Sequence, residues 1–170
     1  MLQSLLVPLD GSEFSERTLS LAQSLAKATG ASLHLVHVHV PHPPDHFLSN
    51  TQFHYEGLDL EEYEAHHRDQ EQAYLDEVEA RVSKDTPVDT ALLEGHVAEE
   101  VARHAGEVKA DLVLITTHGH TGVSRMWLGS VADALVRCTS LPLLIVHPAF
   151  GSHLPAEVRT FEHIMVPLDG

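Results

Sequence analysis

The sequence predicts an α/β protein built on an open, doubly wound, five-stranded parallel sheet with helices on both faces. Short apolar runs alternate with longer segments of helical periodicity, and a repeated β–α order winds a parallel sheet through right-handed crossovers. One of those runs, Leu112-Val113-Leu114-Ile115, is apolar at every position. A central parallel strand covered on both faces requires this. The 170 residues, 43% of them hydrophobic, suit one domain with a core of its own.

Taken in order, Leu5-Leu6-Val7-Pro8-Leu9 is a buried-strand signal, closed by Asp10-Gly11. Ser12 is placed to cap the helix that follows. Leu19, Leu21, Ala22, Leu25 and Ala26 recur in that helix at helical spacing up to Gly30. Leu33 to Val40 forms the second strand. Pro41 to about Gly57 looks like a loop, long for a compact domain and so a mobile segment or a lid. Leu58 to Ser83 reads as a charged helix with a thin apolar stripe of Leu60, Tyr63, Tyr74, Leu75, Val78 and Val82. Val88 to Leu93 is the third strand, ending at Gly95. Val97 to Val108 is helical, with Val97, Val101, Ala105 and Val108 on one stripe. The apolar run at 112–115 is the fourth strand, Ser130 to Cys138 a last helix and Leu141 to Val146 a last strand.

Charge and cysteine content exclude several function classes. Asp and Glu number 25 against 10 Lys and Arg, a formal charge of −15. Such a surface repels nucleic acid and anionic membranes. No stretch approaches the 18 apolar residues of a membrane span. The single cysteine, Cys138, permits no internal disulfide, which fits a reducing, cytoplasmic setting. The apolar start lacks a basic flank and breaks at Asp10, so it is a strand rather than a signal peptide.

Val7-Pro8-Leu9-Asp10-Gly11 recurs as Val166-Pro167-Leu168-Asp169-Gly170. This suggests a domain over residues 1–150, a linker over 151–162, and the first strand of a second repeat over 163–170. On that expectation the chain is the first half of a tandem protein.

The strongest chemical signal follows the fourth strand. Thr116-Thr117-His118-Gly119 leads to Gly129-Ser130 at the start of a helix. Glycines allow close backbone approach, and a helix N-terminus offers free N–H groups and a positive dipole end to a phosphate. Asp10, ending the first strand, would face the same crevice. Each residue also has a structural reading. Asp10 could cap the turn into the first helix, the glycines could serve loop geometry, and Arg125 could be a solvated cation.

Val7-Pro8-Leu9-Asp10-Gly11-Ser12, Leu35-Val36-His37-Val38 and Ala110-Asp111-Leu112-Val113 are three of the motifs along the chain. Thr117-His118-Gly119-His120-Thr121-Gly122-Val123-Ser124-Arg125, Leu128-Gly129-Ser130-Val131-Ala132 and Leu141-Pro142-Leu143-Leu144-Ile145-Val146 complete the set. With these the sequence resembles the universal stress protein (UspA-like) family from Met1 to about Pro148.

The resemblance implies a Rossmann-like fold and a cytoplasmic stress-response regulator that binds an adenine nucleotide. The implied ligand is ATP, with AMP or ADP as variants, and Mg²⁺. Hydrolysis would be slow at most. The family's ATP-binding members carry Gly-x₂-Gly-x₉-Gly-Ser/Thr; here Gly119, Gly129 and Ser130 fill it, while Thr116 holds the first glycine's place. Carried over, Pro8, Leu9 and Asp10 would meet the adenosine side and Val38 the adenine. Gly119, Gly129, Ser130 and Val131 would meet ribose and phosphates, with His118 and Arg125 as phosphate-side donors. The resemblance also implies a homodimer through Leu143–Val146, or the same pairing with the missing second repeat.

Two rival readings remain: a nucleotide-free dimeric interaction module, and a metal-responsive domain using the histidine-rich segment. The chain has fifteen histidines, eight of them between positions 34 and 67. His37 and His39 point the same way on a strand, with His42, His46 and His54 beyond it, yet the spacing matches no fixed metal motif. Their titration makes pH-dependent association or ligand affinity near pH 6 a further expectation.

Overall fold

The computed structural model describes residues 2–41, 60–116 and 129–146. Within them five strands alternate with four helices: β1 (Ser4–Pro8), α1 (Glu13–Thr29), β2 (Ser32–His39), α2 (Leu60–Val82), β3 (Val88–Glu94), α3 (Val97–Glu107), β4 (Leu112–Thr116), α4 (Ser130–Cys138) and β5 (Leu143–Val146). The elements predicted between Leu5 and Val146 are all present, with ends displaced by one or two residues; the predicted linker over 151–162 and second-repeat strand over 163–170 lie outside the described residues. The last strand starts at Leu143 because the chain bends at Leu141, whose N–H donates to Thr139 Oγ1.

All pairings are parallel, in the order β3-β2-β1-β4-β5. The chain therefore winds outward from β1 to β3, then crosses back to lay β4 and β5 on the other side. Strand side chains alternate between faces, and the core divides accordingly. Leu5, Val7, Leu33, Leu35 and Leu114 pack under α1 and α2 with Leu19, Ala22, Leu75, Val78 and Val82. Leu6, Val36, Val38, Val113 and Ile115 pack under α3 and α4 with Val101, Ala105, Ala132 and Leu135. Leu5, Leu6 and Val7 are all 0% exposed, which explains why β1 reads as a continuous apolar run.

The helix ends follow local chemistry. Ser12 caps α1, its hydroxyl accepting from Ser15 N–H, and Glu13 and Glu16 sit in the first turn where the dipole favours anions. Gly30 ends α1 in the left-handed conformation, φ 77°, a backbone glycine adopts without strain. α3 stops differently: Lys109 takes the left-handed position at φ 52°, and Ala110 N–H reaches back to Ala105 O at 2.8 Å.

α2 is docked in two ways. Its second half buries Leu75, Val78 and Val82 at 0–2% exposure. Its first half is polar: Arg68 pairs with Glu94 of β3, while Glu64 and Glu71 contact His39 of β2. The predicted apolar stripe thus accounts for the second half alone.

Candidate functional site

β1 lies between β2 and β4, and successive connections leave it in opposite directions. α1 follows β1 onto one face; α4, following β4, covers the other. Adjacent carboxyl ends whose connections diverge leave a crevice between them, the usual ligand position in such sheets.

The predicted residues divide into those at this switch point, one below it and those outside the described segments. Pro8 is the half-buried end of β1. Leu9, 4% exposed, continues the pairing by donating its N–H to Val36 O at 2.8 Å. Asp10 follows, half-buried, its Oδ1 accepting from Ser12 N–H at 3.0 Å and from the Ser12 hydroxyl at 2.5 Å. Its own N–H donates to Ser15 Oγ at 3.3 Å. Asp10 thus makes the structural contacts of a turn, and those contacts also fix where its carboxylate points.

Thr116 ends β4 with its Cα opposite Val146 of β5. It is a strand residue, so its Cβ lies in ordinary extended backbone at the place of the motif's first glycine. Val38 lies deeper, 8% exposed, beneath α3 near the carboxyl end of β2. Gly129 precedes α4 with φ −66° and ψ 156°, and no side chain among the described residues caps the helix. Any residue adopts that backbone, so conformation alone does not call for glycine there; freedom from a Cβ at a close approach is the remaining reason. Ser130 is exposed and Val131 half-buried in the first turn, where backbone N–H groups lack intrahelical partners. His118, Gly119 and Arg125 fall within residues 117–128, outside the described residues.

Tyr74 adds a feature that the sequence reading missed. It sits on α2 beside His37, the rings meeting edge to face with centroids 6.1 Å apart. Burial, Glu16 and then Asp10 all push its phenol up. The Glu16 carboxylate acts on it, yet no partner meets the buried oxygen at hydrogen-bond geometry. The phenol therefore stays protonated.

The described histidines do not converge on a metal. Among the described residues no group of three or more His, Cys, Asp or Glu is placed to hold one. His42, His46 and His54 lie outside the described residues. Cys138, in the apolar run that closes α4, is nevertheless exposed: the last turn of α4 stands clear of the core that Ala132 and Leu135 enter. No helix among the described residues is long and apolar enough to cross a membrane.

A doubly wound parallel sheet of order 3-2-1-4-5, with an aspartate at the end of β1 and a helix started by Gly129 after β4, defines a Rossmann-like α/β domain with its crevice at the switch point. The model of the universal stress protein family matches residues 1–147, and the chain belongs to that family. It is 32% identical over 147 residues to a universal stress protein of Thermus aquaticus, covering 86% of this chain and 99% of that one. It is 28% identical over 160 residues to universal stress protein YxiE of Bacillus subtilis, covering 86% and 99%. Two solved structures share the fold. A universal stress protein in complex with cAMP has a TM-score of 0.62 at 24% identity, covering 86% of this chain and 98% of that chain. One from Archaeoglobus fulgidus in complex with dAMP has a TM-score of 0.56 at 19% identity, covering 85% and 97%.

Proposed function

We propose that this domain binds an adenine nucleotide, ATP with Mg²⁺, in the crevice at the carboxyl ends of β1 and β4, as a regulatory ligand of a stress response. The observation that carries the reading is the placement of a fixed Asp10 carboxylate at the end of β1 and of the glycine-started N-terminus of α4 after β4, on the two sides of the switch point. A carboxylate accepts hydrogen bonds from ribose hydroxyls or the adenine amino group; free backbone N–H groups suit phosphate oxygens. The cAMP and dAMP complexes of proteins with this fold support the ligand class.

In this reading Pro8, Leu9 and Asp10 meet the adenosine, Val38 underlies the adenine, and Gly129, Ser130 and Val131 meet the phosphates. Thr116 lines the crevice floor with a methyl and a hydroxyl in place of the motif glycine. His118, Gly119 and Arg125 complete the phosphate side. The acidic donor set fits Mg²⁺ only through the nucleotide: with no three-carboxylate group among the described residues, phosphate oxygens and waters would supply most of the ligands. Binding through backbone N–H groups and a cation also reconciles a polyanionic ligand with a chain of charge −15.

Mass spectrometry of small molecules released from the natively purified protein tests this. An adenine nucleotide in near-stoichiometric amount supports it. None, together with no thermal shift at millimolar Mg-ATP, opposes it.

One observation favours self-association as well. β5 ends the sheet order on its side, and its Leu143, Leu144 and Ile145 are only half-buried. Pairing of Leu143–Val146 with a second copy would cover them and remove an open edge. Light scattering at tens of micromolar should give a dimer mass, and a monomer mass opposes it.

A further inference from the structure

The start of α1 buries three hydroxyl residues, Ser12, Ser15 and Thr18, at 8%, 4% and 1% exposure. Their spacing of three puts them on one helical face, where a core helix ordinarily carries apolar side chains. Each hydroxyl is bonded. Ser15 Oγ accepts from Asp10 N–H at 3.3 Å and donates to Ser12 O at 2.9 Å. Ser12 Oγ accepts from Ser15 N–H at 3.2 Å and donates to Asp10 Oδ1 at 2.5 Å. Asp10 Oδ1 also takes the Ser12 N–H at 3.0 Å. Thr18 Oγ1 supports the stack by donating to Ser15 O at 2.5 Å.

These bonds form a closed circuit, and the circuit decides what the turn can offer a ligand. Asp10 N–H and both donors of Ser12 and of Ser15 are spent inside it. What these three residues bring to the crevice is the Asp10 carboxylate, which only accepts and carries a negative charge. Two arginines stand nearby in sequence or space, and both are engaged: Arg17 pairs with Glu13 at 2.7 Å and Arg81 with Glu16 at 2.6 Å. The other side of the switch point differs. Gly129, Ser130 and Val131 begin α4 without a charge, and Asp133 of its first turn is paired with Arg137 at 3.0 Å.

We propose that the Asp10–Ser12–Ser15 circuit makes the β1 side of the crevice select a ligand by its hydroxyl donors and reject phosphate there. The domain then takes adenine nucleotides with free 2′ and 3′ hydroxyls and discriminates against those phosphorylated at either position, with Ser15 as the positioning residue. This rests on the function proposed above, which puts adenosine at Asp10 and the 5′-phosphates at α4.

A ribose with both hydroxyls free brings two donors to a carboxylate. A 3′-phosphate removes one donor and sets its own charge against that of Asp10. The donors of the turn are already spent, so nothing in the circuit meets that phosphate. Ser15 acts through Asp10. By taking the Asp10 N–H it holds the backbone and withholds that N–H from an anion. In Ser15→Ala the N–H is released and Ser12 alone holds the carboxylate, so discrimination weakens.

Calorimetric titration of the full chain with AMP and with adenosine 3′,5′-bisphosphate tests this, because the two differ only in the 3′-phosphate. Wild type should bind AMP more than about tenfold more tightly, as like charges brought together discriminate strongly. In Asp10→Asn the ratio should fall toward unity, whereas a purely steric exclusion would leave it unchanged. In Ser15→Ala the ratio should fall several-fold; a general loosening of the fold would weaken both ligands alike and preserve it. Faster hydrogen exchange of the Asp10 amide in Ser15→Ala checks the circuit without any ligand, and an unchanged rate overturns it. Equal wild-type affinities overturn the selectivity and leave the nucleotide reading standing. An unchanged ratio in Asp10→Asn overturns the role of the carboxylate, and in Ser15→Ala that of Ser15. Binding of neither ligand, nor of Mg-ATP, removes the nucleotide reading and the selectivity with it.

Discussion

Asp10 and Ser12 are joined by two hydrogen bonds to one oxygen. Asp10 Oδ1 accepts from the Ser12 N–H at 3.0 Å and from its hydroxyl at 2.5 Å. The same hydroxyl oxygen accepts from Ser15 N–H at 3.2 Å. Helix cap and candidate ligand residue are therefore one unit. The first turn of α1 holds the serine, and the serine aims the carboxylate.

Ser12→Ala should consequently act on stability and binding together. Loss of the cap costs about 1 kcal/mol, a drop of about 2–4 °C in melting temperature for a chain of this size. Nucleotide affinity should also fall, because Asp10 loses the hydroxyl, one of the two donors that orient it. Ser12→Thr keeps the hydroxyl and should restore both. Thermal unfolding and calorimetric titration of the two variants check this.

Tyr74→Phe should leave the protein as stable as wild type or more so. The buried Tyr74 hydroxyl is acted on by the Glu16 carboxylate but meets no partner at good hydrogen-bond geometry, and removing a poorly satisfied buried polar group gains up to about 1 kcal/mol. The ring keeps its edge contact with His37. Denaturant unfolding gives the sign directly, and marked destabilisation would show that the hydroxyl has a partner after all.

His34 should make folding acid-sensitive. Burial lowers its pKa first, and His104 lowers it further, against the raising effect of Asp89. The unfolded chain then takes up the proton first as pH falls below about 6.5. The stability is present above that pH and is lost on the way down to the folded-state pKa. His34→Gln should flatten the decline between pH 7.5 and 5.5, as read from denaturant midpoints.

Lys109→Gly should stabilise the end of α3. Lys109 occupies the left-handed region at φ 52°, where a side chain costs about 1 kcal/mol and glycine does not. A rise of about 2–4 °C in melting temperature is expected.

Sheet and helices are legible in the sequence because both faces of β1 and β4 are covered, leaving runs such as Leu5-Leu6-Val7 with no polar position. The cap at Ser12 is legible for the same local reason. The contact of His39 with Glu64 and Glu71 is not, since its partners lie 25 and 32 positions away on a helix whose first half looks solvated. A signal was nevertheless present. Glu64 and Glu71 are seven residues apart and continue the face of Leu75, Val78 and Val82, while His37 and His39 are two inward positions of one strand. Paired charges where a stripe should be apolar imply a polar dock rather than open solvent. At the crevice the strand ends and the start of α4 were readable from motif spacing, but the contacts that fix Asp10 needed coordinates.

The central claim, an adenine nucleotide at the switch point, is tested most directly by backbone amide NMR during Mg-ATP titration. The account predicts saturable shifts that are largest at Leu9, Asp10, Gly129, Ser130 and Val131. Unchanged amides there at millimolar Mg-ATP, or shifts confined to other parts of the sheet, would contradict it.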